Sequence, residues 1–163
     1  MSAEKIYLGA GCFWGVEAIL KKQEGVINTE VGYMGGHSDN PTYKQVCTGE
    51  TMHAEVVLVD YDSSKISTYD LLDIFLRLHD PTQVNRQGVD VGTQYRSEIF
   101  YTNEKQKEVS QQILSEFNQA NSFSKEAATK VSEASVFYDG EDYHQDYFDK
   151  NPGHLCHTLR AEW

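Results

Sequence analysis

Between Ile6 and Leu20 the spacing of apolar residues changes period across two glycines, so a strand, a tight turn and a helix must follow one another directly. Ile6 to Leu8 is a strand-like run and Gly9 and Gly11 come next. Phe13, Val16, Ile19 and Leu20 then recur at helical spacing, with Lys21 and Lys22 in the last turn and Gly25 as a stop. Cys12 falls at the turn, at the N-terminus of the helix. Unpaired N–H groups and the positive end of the helix dipole there favour a thiolate over a thiol. A reactive sulfur is one reading of Cys12; a small buried residue in a tight turn is the other. Phe13 and Trp14 give the sulfur an apolar wall.

The rest of the chain alternates in the same manner. Val26 to Tyr33 reads as a strand, Met34 to Pro41 as a turn-rich loop, and Thr42 to Glu50 as a segment with one helical turn carrying Tyr43 and Cys47. In Ala54 to Tyr61, alternation puts Glu55 on one face with Val57, Val59 and Tyr61. A carboxyl on that apolar face is partly desolvated, which favours its protonated form and makes it a candidate proton donor. The alternative is a strand-end glutamate that reaches solvent. Ser67 or Thr68 caps a second helix with Leu71, Leu72, Phe75 and Leu78 as its buried stripe, ended by Asp80 before Pro81. The stretch 80–96 has neither period. Its mixture of Val89, Val91 and Tyr95 with Asn85, Arg86, Asp90 and Gln94 predicts an ordered, pocket-lining loop. A strand over Ser97 to Tyr101, a long helix opened by Asn103 and Gln106, and a weak strand over Thr129 to Ala134 complete the regular part.

Strand, helix, strand, strand, helix, strand is the split βαβ order. It predicts an α/β protein, a two-layer α+β sandwich with a mixed sheet and a long irregular C-terminal tail over 136–163 that wraps rather than builds core. A chain of 163 residues suits one domain. The balance of 14 Lys and Arg against 25 Asp and Glu, net −11, argues against nucleic acid and anionic membranes as partners. With no membrane-length apolar run and no basic-then-apolar leader, a cytoplasmic address is expected, and a monomer. Cys12, Cys47 and Cys156 are widely spaced, which fits neither a disulfide scaffold nor a four-ligand zinc site, so no metal is expected.

Six segments in order, GCFWGVE at 11–17, GYMGG at 32–36, NPTY at 40–43, HAEVV at 53–57, HDPTQVNRQGVDVGTQYRS at 79–97 and YHQDYF at 143–148, resemble the peptide methionine sulfoxide reductase A family. The resemblance implies a ferredoxin-like core with extra segments and reduction of the S epimer of methionine sulfoxide, free or in proteins. By motif, Cys12 corresponds to the nucleophile, Glu55 to the acid, and Phe13 with Trp14 to the pocket for the sulfoxide methyl. Tyr43 and Tyr95 match the hydroxyls that bind the sulfoxide oxygen, and Asp90 the carboxylate that helps set up the site. His53 and His144 are expected to be supporting residues, and Cys47 matches a position without a catalytic role. Met52 stands where a glycine commonly precedes the HAE segment, and Leu155 where the tail ending usually has a tyrosine.

A sulfoxide oxygen leaves only once protonated, so a thiolate alone is insufficient and an acid with phenols aimed at the oxygen must accompany it. Attack by Cys12 yields methionine and a sulfenic acid that a second thiol must remove. Cys156, in the tail beyond Pro152 and Gly153, is one candidate; an external thiol, glutathione or a glutaredoxin, is the other. No bound cofactor is expected, and the electrons are expected from thioredoxin or from glutaredoxin with glutathione. A cysteine peroxidase, a redox-sensing binding module switched at Cys12, and a metal site from Cys12, His53, His144 and Cys156 are the rival readings.

Overall fold

The strand Ala54–Asp62 (β3) organises the sheet because both of its faces are apolar. Glu55, Val57, Val59 and Tyr61 point to one side and Ala54, Val56 and Leu58 to the other, all of them buried. In this computed structural model, which describes residues 3–151 and 157–163, β3 pairs antiparallel with Ala3–Ala10 (β1) on one side and Val26–Met34 (β2) on the other. β1 and β2 therefore run parallel to each other across β3. Phe13–Leu20 (α1) connects them, as the split βαβ order predicts.

The remaining elements extend and cover this unit. After Tyr43–Val46 (α2) and β3 comes Thr68–Arg77 (α3), then a small hairpin of Arg86–Gln87 (β4) and Asp90–Val91 (β5). Ser97–Tyr101 (β6) pairs antiparallel with β1, and Lys130–Glu133 (β7), reached through Glu104–Ala120 (α4), pairs parallel with β6. The sheet is thus mixed and of α/β class. The tail is more regular than its composition predicts: Tyr138–Asp139 (β8) adds an edge to β2, and Tyr147–Lys150 (α5) packs beside α1.

The main core lies between the sheet and the helices, where Ile6, Leu8, Val57, Val59 and Ile99 meet Val16 and Leu20 of α1, Leu71, Leu72 and Phe75 of α3, and Ile113 and Phe117 of α4. A smaller cluster of Met34, Ala54, Val56 and Phe100 fills the opposite face under Phe137. Helix starts follow local chemistry. Ser67 accepts from Asp70 N, Asn103 from Gln106 N, and Thr42 with Gln45 forms a reciprocal capping box. Gly32 is required by close approach, since a Cβ there would lie 2.4 Å from the Tyr138 carbonyl oxygen.

Two clamps hold the end of β1, from which the turn carrying Cys12 departs. His79, fully buried at the end of α3, donates from Nδ1 to the Phe75 carbonyl at 2.7 Å and accepts from Ser97 Oγ at 2.8 Å. Ser97 in turn accepts from Thr129 Oγ1. On the tail, His157 donates to the Ala10 carbonyl at 2.6 Å, Arg160 donates to the carbonyls of His79 and Leu76, and the Trp163 indole donates to Asp73.

Candidate active site

Gly11 makes the turn at φ +93, a left-handed conformation that a side chain would strain, and a Cβ there would also lie 2.8 Å from Gln87 Cβ. Cys12 follows as the N-cap of α1, half-buried, with its own side chain making no capping bond. A helix start by itself leaves its first N–H groups unpaired. One of them is not: Phe13 N–H donates to Glu55 Oε1 at 3.2 Å. That bond ties β3 to α1 and fixes the carboxyl, only 1 % exposed, at the turn that carries the sulfur.

Rings surround this point. Phe13 is buried between Tyr33 and Tyr43, at centroid distances of 5.7 and 6.2 Å, and Trp14 lies 6.3 Å from Tyr43. The outer face of Trp14 is covered by Tyr147 at 3.8 Å, nearly parallel. Burial and the nearby Glu55 carboxyl raise the pKa of the Tyr43 phenol, as does its hydrogen bond to the Cys47 sulfur. Tyr95, at the end of the 3-10 turn Thr93–Tyr95, is raised by burial and then by Glu55, Cys47, Asp90 and Cys12. Both phenols therefore stay protonated donors at neutral pH.

The structure thus brings together Cys12, Phe13, Trp14, Tyr43, Glu55, Asp90 and Tyr95, from five separate segments. Cys156 lies outside the described residues, as does Leu155. Val89 borders an open cavity with His79, Asp80, Gln87 and Asp90, and both it and Val91 lie largely in water, 94 % and 65 % exposed, because β4 and β5 pair only with each other. Cys47 is exposed, and its sulfur borders the site through Tyr43. Met52, at the glycine-like position, takes φ +62 and is 45 % exposed.

The supporting residues come largely from the tail. Glu141 accepts from Tyr43 N–H and from the Tyr33 hydroxyl, and despite burial, which opposes it, these bonds hold its carboxyl below the usual range. His144 accepts the Trp14 indole N–H at Nδ1, 2.9 Å. Glu17, buried in α1, accepts from Thr29 and from Asp146 N–H; burial raises its pKa and those bonds lower it. His53 accepts from Gly36 N–H and donates to Ser38 O, so it holds the GYMGG loop. Thr93 and Gln94 donate to the carbonyls of Gly49 and Cys47, which couples the Tyr95 turn to the end of α2. Of these, the histidines and Gln94 are named by the sequence alone; the acids in the GCFWGVE and tail segments are the available signal for Glu17 and Glu141.

A sulfur at a helix start, tied through backbone to a sheltered carboxyl and enclosed by rings and phenols, is the equipment of a thiol-based redox enzyme, with electrophilic sulfur or oxygen as its target. A family profile described as peptide methionine sulfoxide reductase matches residues 4–162. The chain is 49% identical over 157 residues, 96% of its length and 93% of the relative's, to peptide methionine sulfoxide reductase MsrA of Methanothermobacter thermautotrophicus. It superposes on reduced Mxr1 from Saccharomyces cerevisiae with a TM-score of 0.91 at 38% identity, covering 98% of this chain and 93% of that one. Against Mxr1 in complex with Trx2 the TM-score is 0.67 at 25% identity, with coverages of 98% and 91%. The chain belongs to the peptide methionine sulfoxide reductase family.

Proposed function

We propose that this protein reduces the S epimer of methionine sulfoxide, free or in polypeptides, to methionine by way of a sulfenic acid on Cys12. The observation that carries the reading is the Phe13 N–H to Glu55 bond, which holds an acid and a sulfur at one turn. The sulfoxide methyl enters between Phe13 and Trp14. Its oxygen faces Tyr43, Tyr95 and Glu55, with Asp90 completing the electrostatics around Tyr95. Cys12 thiolate attacks the sulfoxide sulfur, Glu55 delivers a proton to the oxygen, and oxygen is transferred: methionine sulfoxide and Cys12–SH become methionine and Cys12–SOH. Aligned donors at the oxygen and a positioned acid are each worth about two or more powers of ten in rate. A peroxidase has no use for the aromatic slot.

Recycling then needs two electrons. The Cys156 thiolate attacks the sulfenic sulfur, the S–O bond breaks, hydroxide leaves and is protonated to water, and a Cys12–Cys156 disulfide forms. A thioredoxin-type dithiol reduces that disulfide and is itself oxidised; the existence of the yeast relative's complex with Trx2 supports this donor. The deciding experiment is turnover of each epimer of N-acetyl-methionine sulfoxide with thioredoxin, its reductase and NADPH. Consumption of the S epimer alone is expected, and loss to background in Cys12→Ser, since an alcohol supplies no anion at neutral pH. Activity retained in Cys12→Ser, or equal consumption of both epimers, would refute the reading. Disulfide formation only with added glutathione, and unaltered turnover in Cys156→Ser, would assign recycling to an outside thiol.

A further inference from the structure

The tail turn Asp142–His144 is joined to both sides of the slot. Its N-cap, Glu141, accepts from the backbone N–H of Tyr43, and its last residue, His144, accepts from the Trp14 indole. An indole N–H only donates, so His144 Nδ1 carries no proton and the ring is the neutral Nε2–H tautomer. The imidazole is 0 % exposed and stands among four rings: Tyr143 at 4.0 Å, Tyr43 at 4.3 Å, Phe13 at 5.2 Å and Trp14 at 5.5 Å. It fills the angle between the Phe13–Trp14 wall and the Tyr43 wall.

Its outer nitrogen is the unusual part. Among the described residues, Nε2 is buried with no hydrogen-bond partner. A buried donor without a partner is destabilising, and a residue retained only for packing is better served by an apolar ring. The Trp14 bond accounts for Nδ1 but not for the half of the ring that projects past it.

We propose that His144 is a specificity-determining residue: with Nδ1 anchored on Trp14, the outer half of its ring limits the alkyl group on the sulfoxide sulfur to a methyl. This deepens the function proposed above and rests on the placement of the methyl between Phe13 and Trp14. In a tightly packed enclosure one added methylene changes kcat/KM by about 10- to 200-fold. The ring packed in the angle between those two walls sets where that limit falls.

The test compares the S sulfoxides of N-acetyl-methionine and N-acetyl-ethionine. His144→Asn places an amide oxygen where Nδ1 was, so it keeps the Trp14 bond while removing the outer half of the ring. Its ratio of kcat/KM, methyl over ethyl, is expected to fall about tenfold relative to the parent. His144→Gln does the opposite: it reaches the Nε2 position without an acceptor at Nδ1. There KM for both sulfoxides rises together, the ratio stays near the parent's, and Trp14 emission shifts in a Trp163→Phe background. His144→Ser provides the same loss of volume should the Asn variant not fold. A folded small variant whose methyl-to-ethyl ratio stays within about twofold of the parent overturns the assignment. Parent protein that reduces neither sulfoxide would instead overturn the functional reading itself.

Discussion

At the scale of single residues, Glu55 and Met52 show two different costs of building this site. Glu55 spends one oxygen on the Phe13 N–H, which orients the carboxyl without needing its charge. Glu55→Gln can keep that bond through its amide oxygen but cannot deliver a proton. Single-turnover reduction is therefore expected to slow by about 10² or more with the fold intact, measured by quenched-flow release of methionine. An unchanged rate would leave the oxygen to Tyr43 and Tyr95. Met52 carries a backbone cost instead. Its φ of +62 leads the chain into His53 and β3, and a non-glycine residue in that region is strained by about 1–2 kcal/mol. Met52→Gly relieves this but adds unfolded-state entropy, so a net gain of about 0.5–1 kcal/mol is expected, visible as a rise in Tm of about 1–4 °C. The side chain is largely in water, so little packing is lost.

At the scale of elements, the tail does more than cover the sheet. The Gln145 amide accepts from Val31 N–H at 2.8 Å and donates to the carbonyls of Val31 and Gly140, so a side chain continues the ladder of β2 where β8 stops. Gln145→Ala leaves the buried Val31 without those partners. A loss of about 1–3 kcal/mol is expected by urea denaturation, with an unchanged m value. The elements themselves were legible in the sequence. The period change at Cys12, the alternation in β3 and the Asn103 cap each rest on interactions within a few residues, and such signals survive in the local order of side chains. Glu55 was legible for the same reason, because its strand neighbours gave away its environment. What was not legible is which distant segments meet. The Trp14–His144 bond spans 130 positions and the Gln145–Val31 bond 114, and no periodicity encodes either. Nor does composition reveal that the hairpin of β4 and β5 turns Val89 and Val91 outward, since that depends on its pairing only with itself.

At the scale of the whole molecule, the fold depends on one histidine remaining neutral. Burial depresses the pKa of His79 to about 3, and its Nε2 lone pair is already committed to Ser97. Above the ordinary histidine pKa of about 6.5 both folded and unfolded chains are neutral there, and the contribution is fully present. As pH falls below that value the unfolded chain takes up a proton that the folded one refuses, so stability declines between about 6.5 and the folded value near 3. Tm is expected to drop across this window. In His79→Gln, where the amide oxygen can still accept from Ser97 without titrating, the slope should be flatter, although the bond to the Phe75 carbonyl is lost. Parallel curves would place the acid sensitivity elsewhere, with His144, whose pKa burial also lowers, the next group to examine. The same long connections carry a consequence for biosynthesis. α1, β1 and β3 can collapse together while the ribosome is still translating, but the wall made by Glu141, His144 and Tyr147 cannot. The nascent chain therefore holds Cys12 in a half-built cleft, and the outer strand of its sheet stays bare until the last segment threads across. During that interval the β2 edge that β8 later covers is an open template for pairing with another chain.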